Sequence, residues 1–163
     1  MHVQKKRFQA NKIGTTYVYD FPVMFGRAVL EEWRRFEHTD PKSYRQLLER
    51  MPARMQAALR DGEYKCFAQA YEMLLADEEG EIEVCRDEAE MHARAEKGNN
   101  DRGMVAWEME LFTPDAPQGR KVVVISNDIT FQMGSFSMRE HRLYAKVSFW
   151  AVLVRGDPLF LSF

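Results

Sequence analysis

The sequence is poor in the residues and patterns that mark several large protein classes. It has two cysteines in 163 residues, Cys66 and Cys85, which are too few for a disulfide scaffold and lack the spacing of metal ligands. No apolar run reaches about 18 residues, which argues against a transmembrane helix. No apolar stretch follows the basic residues 1–7, so a signal peptide is not expected. These absences favour a soluble intracellular domain.

The sequence also lacks an excess of one charge. Lys and Arg number 23 and Asp and Glu 25, a net charge of −2, whereas a dedicated nucleic-acid binder has a strongly basic surface. The balance is +6 over residues 1–60, −11 over 61–119 and +3 over 120–163. The acidic middle could attract a basic partner, but a solvated hairpin and loop is favoured. The Lys5-Lys6-Arg7 cluster could meet phosphates or simply solubilise the terminus.

What is present is typical of one globular domain. Hydrophobic residues make up 45% and charged residues 29% of the chain, which separates it from disordered proteins. A length of 163 residues is enough to bury a core.

The first half of the chain predicts a strand followed by helices. The β-branched and aromatic residues 13–19 favour a strand, and apolar spacing predicts a helix over 22–36. A second helix is expected over 42–60, split or kinked by Pro52 and ended by Asp61-Gly62. Residues 64–76 fit either a helix or a strand.

The second half predicts mainly strands. A hairpin is expected over 72–86 and a polar loop over 87–102. Strands over 104–112 and 121–126 flank a turn at 114–119, and the second strand should be buried on both faces. A loop over 129–136, a helix over 138–154 and a last strand from residue 159 complete a β-β-α unit with the next strand begun.

Recognised catalytic motifs are absent, and one loop remains as a candidate site. The four histidines are scattered, and no H-E-x-x-H, P-loop or G-x-S-x-G is present, so neither a catalytic residue nor a metal site is assigned. Residues 127–136 join a buried strand to the start of a helix, where backbone N–H groups and the helix end could hold an oxyanion, a thioester carbonyl or a phosphate. The candidate binding residues are Asn127, Asp128, Gly134, Ser135 and Phe136. The alternative is a plain connection that Asp128 closes through an Asx turn.

Three blocks of sequence resemble one family. Residues 12–22, Lys-Ile-Gly-Thr-Thr-Tyr-Val-Tyr-Asp-Phe-Pro, are similar to the opening of the carboxyltransferase region of multidomain eukaryotic acetyl-CoA carboxylases. Residues 100–107, Asn-Asp-Arg-Gly-Met-Val-Ala-Trp, resemble the next signature of that region. Residues 124–130 with 134–136 resemble its following strand and loop. The blocks occur in the family's order and frame residues 11–136, with a weaker match between 38 and 98.

The resemblance implies an α/β (α+β) class with part of a crotonase-like fold, in which β-β-α units stack as a spiral. Residues 1–98 would hold the N-terminal strand, helices and hairpin that lead into the carboxyltransferase region. Residues 99–163 would hold the first β-β-α unit, truncated, so that the fold is incomplete at its C-terminus.

The resemblance also implies a function. The family moves a carboxyl group from carboxybiotin to acetyl-CoA, which gives malonyl-CoA for fatty acid biosynthesis. Biotin would be carried on another domain and not bound covalently here, and the loop 127–136 would lie beside the acyl-CoA and biotin cleft. The implied partners are acetyl-CoA, the biotin carboxyl carrier domain and, in the full enzyme, a second copy in a homodimer, with no nucleic acid or membrane. The cytoplasm is the expected compartment, with a plastid as the alternative.

The sequence departs from the family at two places. Ser137 and Met138 stand where relatives carry Gly-Pro, and the chain ends at Phe163, before an Asn-Ser-Gly-Ala-Arg-Ile-Gly segment that supplies oxyanion and biotin contacts in relatives. We therefore expect a fragment that is inactive alone. The alternative is a non-catalytic stand-alone module that binds acyl-CoA or forms dimers.

Overall fold

The computed structural model describes residues 3–76, 80–91, 100, 102–155 and 159–162, with side chains left out at 154–155 and 159–162. These residues form a mixture of helix and sheet of the α+β class. The longer elements follow in the order α1 (Val3–Lys12), α2 (Phe21–Thr39), α3 (Pro41–Arg50), α4 (Ala53–Asp61), β1 (Ala68–Leu75), β2 (Ile82–Cys85), β3 (Met104–Thr113), β4 (Ala116–Asn127), α5 (Met138–Arg155) and β5 (Leu159–Ser162). Short 3-10 helices cover Val18–Asp20, Tyr64–Cys66 and Gln132–Gly134.

The strands form one sheet in the order β2-β1-β3-β4-β5. Strands β1 and β2 pair antiparallel, with Glu72 opposite Cys85, as the hairpin prediction requires. Strand β5 pairs parallel to β4, with Val122 opposite Leu159, and helix α5 provides the crossover that a parallel pair needs. The predicted order of strand, strand, helix and strand over residues 104–162 is confirmed.

The chain divides into two compact units, each with its own core. The first comprises the described residues of 1–21, 71–108 and 122–163. Its core forms where α5 packs on the strands through Leu143, Val147 and Ala151. The strand residues of this core are Met73, Leu75, Met104, Ala106, Val123 and Ile125. Residues Val122 and Val124, which alternate with two of them, are buried as well, so the prediction of a strand buried on both faces is confirmed.

The second unit comprises residues 22–70 and 109–121 and centres on Trp33. Its core residues come from α2, the junction of α3 with α4, α4 itself and the segment before β1: Val29, Leu30, Trp33, Met51, Met55, Ala58 and Phe67. Pro52 ends the pattern of α3 and forms the N-cap of α4, and Gly62 caps α4 with a left-handed φ of 74°. The predicted split at Pro52 and stop at Asp61-Gly62 are therefore confirmed.

Gly26 in α2 is held against the backbone of Tyr64, within the second unit. A Cβ atom at position 26 would lie 2.8 Å from the Tyr64 carbonyl oxygen. Helix propensity alone predicts that Gly26→Ala stabilises α2 by about 1 kcal/mol. We expect the opposite, a loss of about 1–3 kcal/mol in the free energy of unfolding, because a backbone oxygen cannot move away cheaply.

Chemical denaturation followed by circular dichroism measures this effect. The exposed Ala28 in the same helix provides the propensity control, since Ala28→Gly should destabilise by about 1 kcal/mol without any packing change. A stabilised Gly26→Ala variant would show that the contact with Tyr64 does not constrain the helix.

The strand predicted over residues 13–19 is wrong, and a helix before it was missed. Helix α1 occupies Val3–Lys12, and Val18–Asp20 form a 3-10 helix. Tyr17, Val18 and Tyr19 are buried, and the ring of Tyr19 meets Trp107 edge-on at 5.5 Å. β-propensity reports how well side chains fit a half-buried surface, and these residues meet that need without pairing as a strand.

Two further boundaries differ from the prediction. Strand β4 starts at Ala116, so the predicted turn at 114–119 is shorter and the strand longer than expected. Pro117 and Gly119 are tolerated there because β5 pairs only with residues 122–125 among the described residues, which leaves the start of β4 at an edge. In the predicted polar loop, residues 88–91 are helical, while 92–99 and 101 lie outside the described residues.

Residues 64–76, which fit either a helix or a strand in the sequence, form a 3-10 helix over Tyr64–Cys66 followed by strand β1.

Within the described ranges, no helix is long and apolar enough to cross a membrane. Helix α5 nevertheless exposes apolar side chains opposite its core face, with Phe149 65% and Leu153 66% exposed. Apolar side chains outside the core often mark interaction surfaces when they cluster.

Candidate functional site

Asp128, directly after β4, is the most buried polar residue of the candidate loop. Its side chain is 1% exposed. Its Oδ1 accepts hydrogen bonds from the Thr130 backbone N–H, at 2.9 Å, and from the Thr130 hydroxyl. This is an Asx turn, which confirms the alternative that the sequence offered for Asp128. A carboxylate enclosed in this way holds the loop and is not open to a ligand.

The segment after residue 99 packs against the same carboxylate. Asn100 donates from Nδ2 to Asp128 Oδ2 at 3.0 Å, and the Asp128 N–H donates to the Gly103 carbonyl at 2.8 Å. The second and third blocks of the family resemblance are therefore in direct contact.

The first block and helix α1 complete the cluster. Lys6 Nζ lies 3.9 Å from Asp128 Oδ2 and 5.7 Å from the centroid of the Tyr17 ring. Burial raises the pKa of Tyr17, and the negative charge of Asp128 raises it further. We call the group Lys6, Tyr17, Asn100, Asp128 and Thr130 the Asp128 cluster. It brings together all three blocks that are far apart in the sequence.

Several other residues of the loop are open to solvent. Asn127, Ser135 and Phe136 are exposed, and the Phe136 ring contacts His141 and Tyr144 at 6.0 and 6.2 Å. Gly134 has a φ of 67°, and a Cβ atom there would lie 3.3 Å from Asn127 Cβ. The five predicted site residues thus separate into a buried anchor, Asp128, and a surface group that the loop brings together.

Fewer backbone N–H groups of the loop 127–136 are free to bind a ligand than its position before a helix predicts. The Gly134 and Ser135 N–H groups donate to the Phe131 and Gln132 carbonyls at 2.9 and 3.2 Å. Within the described part of the chain, no partner is found for the N–H groups of Ile129, Gln132, Met133 and Phe136. Backbone donors to an oxyanion in this loop would therefore come from these four groups.

The start of helix α5 is closed by its own carboxylate. Glu140, 3% exposed, accepts hydrogen bonds from the Gly103 N–H at 2.8 Å, from the Ser137 N–H at 2.9 Å and from the Ser137 hydroxyl. This is a capping box, in which the carboxylate occupies the place that an anion would take. The N–H groups of Ser137 and Gly103 are therefore already bound by Glu140.

The Glu140 contacts predict a pH-dependent stability. Burial by itself raises the pKa of Glu140, but the hydrogen bonds from Ser137 and Gly103 outweigh it and lower the pKa from 4.5 to about 2. A carboxyl whose folded pKa is depressed stabilises the fold above its unfolded pKa and loses this contribution as the pH falls through its folded pKa. At neutral pH, Glu140→Gln should lower the free energy of unfolding by on the order of 2 kcal/mol.

Urea denaturation between pH 7 and pH 2.5 tests this prediction. The difference between wild type and Glu140→Gln should shrink as the pH falls below about 4.5, the usual value for the group. The exposed Glu49 in α3 offers a matched control, since Glu49→Gln should unfold like the wild type. A difference that stays constant over this range would contradict the assignment.

A cavity of about 150 Å³ lies beside the Asp128 cluster. It is lined by Glu72, Met73, Leu74, Leu75, Asn100, Arg102, Met104, Val105 and Leu143. Its polar lining is already engaged, because Glu72 accepts from the Tyr19 hydroxyl at 2.7 Å and Asn100 donates to Asp128. These groups stabilise the unit and do not by themselves indicate a ligand.

The cysteines and the basic residues near the N-terminus were the other candidates. Cys66 and Cys85 are free and half-buried, and burial raises the pKa of the Cys85 thiol, which disfavours the reactive thiolate. Among the described residues, no group of three or more His, Cys, Asp or Glu could hold a metal ion. The Lys5-Lys6-Arg7 cluster is not a phosphate-binding patch: Lys6 is buried, and Arg7 donates from Nε to Asp20 at 2.7 Å.

Two residues of this site were missed from the sequence, Lys6 and Glu140. Lys6 lies before residues 12–22, the first block that resembles the family. In the sequence it looks like one of several basic residues near the N-terminus. Glu140 could have been found, because Ser137 and Glu140 have the S-x-x-E spacing of a capping box at the predicted helix start.

Two acetyl-CoA carboxylases are similar to most of this chain. No family model matches the chain. It is 34% identical over 146 residues to an acetyl-CoA carboxylase of Schizosaccharomyces pombe, which covers 90% of the chain and 5% of the relative. It is 33% identical over 158 residues to a mitochondrial acetyl-CoA carboxylase of Saccharomyces cerevisiae, which covers 96% of the chain and 6% of the relative. The chain is therefore a homologue of acetyl-CoA carboxylase that corresponds to a short segment of this multidomain enzyme.

Proposed function

We propose that the chain is the N-terminal part of an acetyl-CoA carboxylase carboxyltransferase domain. In the complete enzyme this domain would transfer a carboxyl group from carboxybiotin to acetyl-CoA and form malonyl-CoA. The observation that carries the proposal is the Asp128 cluster, because it joins the three blocks that resemble this domain. The β-β-α order of β3, β4 and α5 is compatible with one unit of a crotonase-like spiral.

The loop 127–136 would bind the acyl-CoA substrate. Asp128 and Thr130 hold its base, while Ser135 and Phe136 lie at its exposed surface. The N–H groups of Ile129 and Phe136 are suited to a developing oxyanion, since fixed donors stabilise such a charge without reorganisation. The exposed ring of Phe136 would cover the apolar part of the ligand.

Biotin is expected to reach the loop on its carrier domain and to supply the carboxyl group. The exposed side chains of Asn127 and Ser135 offer a polar edge that fits a urea ring, which both donates and accepts hydrogen bonds. Because the chain spans only 5–6% of its relatives, we expect these residues to form part of a site that other segments complete. The isolated chain should therefore form no malonyl-CoA.

Titration of the 163-residue chain with acetyl-CoA by isothermal calorimetry tests the placement of the loop. Weak but saturable binding is expected for the wild type and its loss for Gly134→Ala, because the left-handed φ and the contact with Asn127 forbid a side chain. Gly62→Ala is the matched control, since its φ of 74° imposes similar strain in the second unit. Equal binding by both variants, or no binding by the wild type, would refute the proposed role of the loop.

One observation favours the alternative of a non-catalytic dimerisation module. The exposed face of α5 carries Phe149, Val152 and Leu153, which a second copy could cover. Light scattering gives the mass in solution, and a stable dimer that Leu153→Glu converts to a monomer would favour this alternative. A monomeric wild type would contradict the dimerisation module.

The cytoplasm remains the proposed compartment of the parent enzyme. A relative in yeast carries a mitochondrial name, so localisation of the tagged full-length protein is the direct test.

A further inference from the structure

We propose that Lys6 in helix α1 is a positioning residue for the loop 127–136. Its ammonium group would act through the Asp128 carboxylate and hold the loop in the conformation that presents Ser135 and Phe136. An effect of Lys6 on acyl-CoA binding rests on the proposed function, whereas its effect on the conformation of the loop does not. Lys6 lies outside the three blocks, so the family resemblance does not assign it.

Burial shows that Lys6 and Asp128 depend on each other. The two side chains are 4% and 1% exposed, and the Nζ and Oδ2 atoms lie 3.9 Å apart. Lysine and aspartate are almost never fully buried unless they are paired, because each charge loses its hydration. Removal of either partner therefore leaves a buried charge without compensation.

The Asp128 carboxylate passes this constraint to the loop through its two oxygens. Oδ2 faces Lys6 and Asn100, whereas Oδ1 accepts the two hydrogen bonds of Thr130. Without the ammonium group, the Asp128 carboxylate would turn towards water. This movement would break its bonds to Thr130.

Backbone hydrogen bonds continue from Asp128 to the exposed tip of the loop. The Phe131 N–H donates to the Asp128 carbonyl at 3.0 Å, and the Gly134 N–H donates to the Phe131 carbonyl at 2.9 Å. Phe131 thus ends the turn that begins at Asp128 and begins the turn that ends at Gly134. A shift at Asp128 would therefore reach Gly134 and Ser135.

The neighbours of Lys6 make the role specific to this position. Lys5 is exposed, and Arg7 pairs with Asp20 through its Nε and Nη2 atoms. Lys5→Met consequently removes a positive charge from the same helix turn without touching Asp128. It is the matched control for Lys6→Met.

Amide hydrogen exchange of the full chain, followed by NMR without any ligand, tests the proposal. In Lys6→Met, protection of the Thr130 and Gly134 N–H groups should fall by about tenfold or more, while Val123 in the core of β4 keeps its protection. Lys6→Arg should retain the protection, because it keeps the charge. The double variant Lys6→Met/Asp128→Asn should restore most of it, because no uncompensated charge remains.

The outcomes separate positioning from general stability. A uniform loss that includes Val123, or loop protection that is unchanged in Lys6→Met, would overturn the proposal. If Lys6→Met does not fold, the double variant decides: a folded double variant with a protected loop supports the pairing, and an unfolded one refutes it. Lys5→Met should behave like the wild type, and a loop effect there would also count against Lys6.

Acetyl-CoA provides a second and independent readout. If the wild type binds acetyl-CoA, Lys6→Met should weaken binding by about tenfold, in proportion to the loss of loop protection. If the wild type does not bind, the proposed function fails at that point. The exchange data still decide whether Lys6 positions the loop.

Discussion

Replacement of Asp128 by alanine is expected to lower the free energy of unfolding by about 3–5 kcal/mol. The change removes the acceptor of the two Thr130 hydrogen bonds and of the Asn100 amide, and it leaves the Lys6 ammonium buried without its partner. Removal of one partner of a buried pair costs far more than the net value of the pair, because the remaining charge stays desolvated. Urea denaturation followed by tryptophan fluorescence measures the loss.

Two variants separate the charge of Asp128 from its shape. Asp128→Asn keeps one oxygen acceptor for Thr130 but loses the ion pair, so its loss should be smaller than that of Asp128→Ala. Asn127→Ala, at the exposed neighbouring position, should stay within about 0.5 kcal/mol of the wild type. An Asp128→Ala chain as stable as Asn127→Ala would show that the cluster contributes little.

Replacement of Trp33 by alanine should cost about 3–5 kcal/mol and should act on the second unit. Trp33 is 0% exposed and lies at the centre of an aromatic group, with Phe36, Tyr44 and Phe67 at ring distances of 6.3, 6.4 and 6.5 Å. Its Nε1 donates to the Phe112 carbonyl at 2.7 Å. Alanine would leave a cavity and an unpaired carbonyl together.

Trp33→Phe isolates the second of these effects. It keeps most of the aromatic volume but removes the donor to Phe112, so we expect a smaller loss of about 1–2 kcal/mol. Thermal unfolding by circular dichroism compares the two variants directly. Similar losses for alanine and phenylalanine would mean that the hydrogen bond, and not the packing, dominates at this position.

The elements that could be predicted are those whose signals are local. Helix α2 follows from apolar spacing, the break at Pro52 from the missing N–H of proline, and the burial of β4 from a run of β-branched residues. Helix α1 was missed because its surface is mostly polar and its two buried residues, Lys6 and Ala10, do not stand out as apolar. The strand predicted over 13–19 failed because burial of Tyr17 and Tyr19 was mistaken for strand pairing.

The course of the loop 127–136 could be predicted, but most of the contacts that hold it could not. Residues 127–136 do form an exposed loop between β4 and α5, and the spacing of Asp128 and Thr130 allowed an Asx turn. The bond from the Gly103 N–H to Glu140 could not be seen, because Gly103 is 37 residues away in the sequence. Such contacts depend on the path of the chain and not on local pattern.

The sequence by itself determined the mixed α+β class, the helix and strand order of the second half, and the similarity to acetyl-CoA carboxylase, since short-range periodicity and residue identity carry these. Only the tertiary structure decided which polar groups are buried together. Lys6, Asn100 and Asp128 each look like ordinary surface residues in the sequence, yet folding removes them from water within one cluster. The physical reason is that the cost of a buried charge depends on the partner it meets in space, and no local pattern specifies that partner.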